Sequence, residues 1–132
     1  MAAVILAEFL AARLDEDEAA AGAGARRVGM PWCAELQPGT PGGLVIDDDL
    51  GLVASTGGGY AAEHIARHDP ARVLRRVEAG RQILRRCSAV MDELDVYPNG
   101  LVSPRAFLAR MTLRYLAVEY DGHPDYDEAW RP

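Results

Sequence analysis

Apolar positions fall into three blocks of different period along the chain. The longest lies between Ala61 and Leu94, where Val73, Val77, Gly80, Leu84, Cys87, Met91 and Leu94 recur at alternating spacings of four and three, widened by Leu74, Ile83 and Val90. On a helix these positions form one stripe that wants partner helices. Asp69-Pro70 supplies its start: an aspartate that can accept a hydrogen bond from a first-turn amide, then a proline where no N–H is needed. A long helix is therefore predicted from Asp69, preceded by a short one over Tyr60 to His68. Gly80 lies in the stripe, where it costs roughly 1 kcal/mol relative to alanine unless a neighbour needs the space.

The flanking blocks read differently. Val4 or Ile5, Phe9 and Ala12, with Leu10 and Leu14, mark an N-terminal amphipathic helix; its acidic run Asp15 to Glu18 reads as a solvated face fraying into alanine and glycine, with pairing to the arginines of the central helix as the alternative. Residues 26 to 56 change period: short runs bounded by Pro38, Gly39, Pro41, Gly42 and Gly43, β-branched near Val45, Ile46 and Val53, predict two or three antiparallel strands with Asp47 to Gly51 as a turn. Tyr97 to Gly100 is a turn, and Ser103-Pro104 starts another helix. Leu108, Met111, Tyr115 and Val118 give that last long helix an apolar seam to set against the central one. Tyr120, Tyr126 and Trp130 should dock, because rings bury large apolar areas. Together these elements predict a single α+β domain over residues 1–132: an N-terminal helix, a small antiparallel sheet of two or three strands, then a helical bundle of one short and two long helices.

Composition narrows the partners. With 49% hydrophobic residues in 132, the chain can build one core. All 14 basic residues are arginine, and a net charge of −6 argues against wholesale nucleic-acid binding. The apolar run Ala2 to Ala7 has no basic region before it and is broken by Glu8, so a signal peptide is rejected; no stretch is long enough to span a membrane. A cytoplasmic protein without a membrane partner is expected. Cys33 and Cys87 show no metal-type spacing and read as buried thiols rather than a disulfide.

Candidate chemistry is sparse. His64 and His68, four apart on one helix face, could share a zinc or other divalent metal, with His123 as third ligand and Asp69, Asp125 or Glu63 completing a shell; that would make a metal-dependent hydrolase. There is no HExxH string, and a histidine pair at a helix end more often bonds local carbonyls, so no cofactor is the leading expectation. Asp47 to Asp49 lack the ligand alternation of a calcium loop and read as a solvated turn. Gly57 to Gly59 precede a helix, where amides can bind an anion, but without a phosphate-loop lysine they read as a hinge or linker. Ser55, Ser88 and Ser103 lie in no nucleophile elbow, and Cys33 lacks a local signature. Arg72, Arg75 and Arg86 share a face away from the seam and could touch phosphates or an acidic protein; a nucleic-acid accessory role is thus a further alternative. Trp32 reads first as a core or rim anchor. Trp32 and Trp130 are the aromatic candidates for a binding surface.

The string HIARHDPARVLRRVEAGRQIL, with the opening FLAARLDEDE and the closing HPDYDEAWRP, resembles the DUF6221 family of small actinobacterial and actinophage proteins, across about half of the chain. Arg76 and Gly80 depart from the REVEAKR pattern of that family. The resemblance implies a bacterial or phage-encoded protein and supplies no activity. The leading functional expectation is a non-enzymatic binding or interaction protein of an actinobacterium or its mobile elements, with a protein partner or self-association.

Overall fold

The computed structural model describes residues 2–93 and 99–132. Element order is α1 (Ala2–Arg27), β1 (Cys33–Leu36), β2 (Gly43–Ile46), β3 (Leu52–Thr56), α2 (Gly59–Arg67), α3 (Pro70–Glu93) and α4 (Pro104–Ala117), with 3-10 turns at Val118–Tyr120 and Glu128–Trp130. The expected α+β succession is present. Leu94 and the Tyr97-Pro98 half of the expected turn lie outside the described residues. The chain divides into two compact units, Met1–Glu16 with Glu78–Pro132, and Asp17–Val77.

The first unit is helical. Leu6, Phe9, Leu10, Met91, Ala109, Leu113, Ala117 and Trp130 form its core. Trp130 packs at 4.9 Å from the Phe9 ring, and Tyr126 meets Phe9 edge-on at 6.1 Å, so the aromatic tail docks as expected. Gly80 sits in the seam for a steric reason: a Cβ there would lie 3.0 Å from Leu14 Cδ2. The expected fraying of α1 does not occur, and its buried face includes Leu6 and Arg13 where Ile5 and Ala12 are exposed. Asp15 of the acidic run pairs with Arg81 of α3 at 2.6 Å.

The seam expected on α4 is only partly buried, with Met111 and Val118 half-buried and Leu108 and Tyr115 exposed. Ser103 caps this helix as read from the sequence, accepting from the Ala106 amide at 3.0 Å. Its buried positions, however, are Ala106, Ala109, Leu113 and Ala117, while Leu108 and Tyr115 are 67% and 64% exposed. Leu113 and three alanines thus fill the buried side of the helix, and the larger apolar side chains Leu108 and Tyr115 are left on the other.

The second unit is built on the three-stranded antiparallel sheet, order β1-β2-β3, with Ala34 opposite Val45 and Val45 opposite Ala54. Its tight turn is organised by Asp47, whose carboxylate accepts from the amides of Gly29, Asp49 and Gly51 at 3.0, 3.0 and 2.6 Å. Those donors stabilise the charged form and hold the Asp47 carboxyl below the usual carboxylate range. The triple aspartate is thus a turn whose first carboxylate faces backbone amides. Asp69 works in the same way at the start of α3: one oxygen accepts from the Arg72 amide at 2.8 Å, the other from the Trp32 amide at 3.3 Å. The α2 helix lies on the sheet through Ala62, which is fully buried. Gly43 makes room for it, since a Cβ there would stand 2.7 Å from Ala62 Cβ.

Candidate functional site

The edge of the second unit carries an open groove of about 790 Å³, lined by Leu36, Pro38, Pro41, Gly59, Tyr60 and Glu63 among others. The β1–β2 hairpin forms one wall: Gln37 N donates to Gly42 O at 3.2 Å, Thr40 N to Gln37 O at 3.3 Å, and Gly39 turns at a φ of 79° that glycine adopts without strain. The first turn of α2 forms the other. Gly59 N donates to Pro41 O at 3.0 Å and ties the two walls together. The Thr56 hydroxyl, 2.8 Å from Gly58 O and 3.0 Å from Gly43 O, steadies the glycine run by donating to one carbonyl at a time. The glycines expected as a linker therefore run directly into a helix, with Gly58 as an extended N-cap. Gly59 also lets Leu36 lie against the backbone, because a side chain there would collide with the Leu36 methyl group.

The groove is apolar with one charge. Tyr60 is 90% exposed and Leu36 70% exposed, so two large apolar surfaces face solvent beside two prolines of fixed φ. Glu63 is the single acidic lining residue. Sequence reasoning missed Leu36, Pro38, Pro41 and Tyr60: the prolines read as punctuation, and no spacing links position 36 to position 60.

The residues singled out from the sequence are placed as follows. His64 and His68 lie with ring centroids 4.5 Å apart and planes tilted by 39° at the end of α2. His68 Nδ1 lies 2.8 Å from His64 O; a carbonyl only accepts, so Nδ1 is the donor. His123 belongs to the other unit. Its Nδ1 faces two donors, Arg13 Nη1 at 2.9 Å and the Asp125 amide at 3.1 Å, so the lone pair on that nitrogen is engaged. Arg13 is buried, stacks 5.0 Å from the Phe9 ring centroid and also pairs with Glu16 at 2.8 Å. Among the described residues no group of three or more histidine, cysteine, aspartate or glutamate side chains could hold a metal ion.

Arg72, Arg75 and Arg86 are exposed along α3, and Arg72 Nη1 donates to Arg67 O at 3.1 Å. Trp32 is half-buried, with its indole N–H bonded to Gly29 O at 2.9 Å, which is the anchor reading. Trp130 is 5% exposed and its faces are spent on Phe9 and Tyr126. Both cysteines are free thiols. Cys87 is partly buried, and desolvation pushes its thiol pKa up. Cys33, expected to be buried, is exposed: it starts an edge strand that pairs on one side only.

Among the described residues no helix is long and apolar enough to cross a membrane. No curated protein and no solved structure matches the chain. Residues 4–132 match DUF6221, a family of unknown function, and the chain belongs to that family.

Proposed function

We propose that this is a non-enzymatic binding protein whose groove takes a short apolar segment of a protein partner, with a basic side chain directed to Glu63. The observation that carries the reading is the exposure of Tyr60 and Leu36 at a groove braced by prolines and by the Gly59–Pro41 hydrogen bond. Concave, mostly apolar sites with few polar groups are where ligands dock, and a rigid aromatic wall loses little entropy on docking. Chemistry would call for paired titratable groups, and the lining supplies Glu63 beside Tyr60. The alternatives draw on less. A metal-dependent hydrolase would need His64, His68 and His123 to converge, and a nucleic-acid accessory would rest on Arg72, Arg75 and Arg86 in a chain of net charge −6. Service to an actinobacterium or its mobile elements fits either binding role.

The test is a selection of displayed peptides on the full-length protein, followed by fluorescence anisotropy. Selected peptides should share apolar residues and an arginine or lysine. Tyr60→Ala should weaken them by at least roughly tenfold, the usual effect of removing an anchoring aromatic. Peptides that bind Tyr60→Ala and wild type alike would refute the groove.

A further inference from the structure

The outward face of α4 lies in the first unit, whereas the groove is built wholly from residues of the second. Phe107, Leu108 and Tyr115 are 59%, 67% and 64% exposed, Met111 lies between them, and Leu101, just before the helix, is 63% exposed. Leu108, Met111 and Tyr115 are seam residues spaced three and four apart, with Leu108 and Tyr115 turned to solvent, Met111 half-buried between them and exposed Phe107 adjoining Leu108. Their exposed parts sum to on the order of 500 Å², at the upper end of what monomers show and about half of a small specific interface.

We infer that this face is covered by the same face of a second copy of the chain, the two α4 helices crossing antiparallel about a two-fold axis near Met111. The pattern is nearly symmetric about that residue, with Phe107 and Leu108 on its N-terminal side and Tyr115 on its C-terminal side. A two-fold axis therefore brings Leu108 of each copy to Tyr115 of the other, the self-complementary contact that isologous dimers use. Charge selects the direction. Helix α4 contains Arg105, Arg110 and Arg114 and no acidic residue, whereas Glu119 and Asp121 follow its C-terminal end. Arg105 and Glu119 are both exposed and stand about 20 Å apart along the axis at 1.5 Å per residue. Parallel pairing would set arginine against arginine; antiparallel pairing sets Arg105 beside the acidic segment of the other copy. Doubling the patch gives roughly 1,000 Å², the lower limit for a specific interface, so the dimer is reversible.

Sedimentation equilibrium of the full chain over a wide concentration range tests this directly. The expected result is a monomer–dimer equilibrium, with Leu108→Glu and Tyr115→Glu each raising the dissociation constant at least about tenfold while the circular dichroism spectrum stays that of wild type. In a Cys33→Ser background, which should remain uncrosslinked, Met111→Cys should give a disulfide-linked dimer on mild oxidation. A chain that is monomeric at every concentration overturns the inference. So does a dimer indifferent to both glutamate substitutions, or one that Met111→Cys fails to crosslink.

Discussion

Single residues show how physical context decides between readings of the same side chain. Asp47 could have been a cation ligand; three backbone amides make it the organiser of a turn. Its folded pKa lies below the ordinary carboxylate value, so its contribution is complete above the unfolded pKa, near 4, and is lost as pH falls through the lower folded value. We expect Asp47→Ala to lower Tm at neutral pH, and the gap from wild type to close in acid; circular dichroism melts across the pH range check this. The two thiols should separate as cleanly. With Cys33 exposed and Cys87 shielded, a disulfide reagent at neutral pH should modify one thiol per chain quickly and one slowly, and Cys33→Ser should remove the fast phase. Of the histidines, His68 bonds a carbonyl of its own helix, as its place at a helix end suggests, while His123 meets Arg13 across 110 positions, a partner that spacing cannot reveal.

At the scale of elements, starts and turns were legible because their signals are chemical and local. Asp69 and Ser103 cap the helices that their Asp-Pro and Ser-Pro pairs announced. The central seam was also legible, since its large residues are the ones that pack. Helix α4 was not, because alanines carry its buried face and hydrophobicity counts favour the larger side chains on the other. Close approach leaves little tolerance there: Ala109→Leu should destabilise the first unit by about 1–3 kcal/mol in urea denaturation, as overpacking does. The same logic governs the sheet. Gly43→Ala would push a methyl group into Ala62 and the Gly59 backbone, and a loss of about 1–3 kcal/mol is expected in the same assay. That substitution should also weaken groove ligands, since Gly59 is a groove wall.

For the whole molecule, the class of fold and the family are legible in the sequence, whereas the groove exists only in the folded chain. Leu36 and Tyr60 are neighbours because a hairpin and a glycine run fold back on each other, a long-range pairing that periodicity does not encode. We propose different work for different surfaces, partner binding for the hairpin and α2 and self-association for α4. The measurement that tests this most directly is a residue-resolved NMR titration of the full chain with a peptide selected on it. The account predicts shifted amides at Leu36, Gln37, Thr40, Gly58, Gly59, Tyr60 and Glu63, with Phe107 to Tyr115 unmoved at constant protein concentration. Shifts centred on α4, with the hairpin and α2 silent, would contradict it.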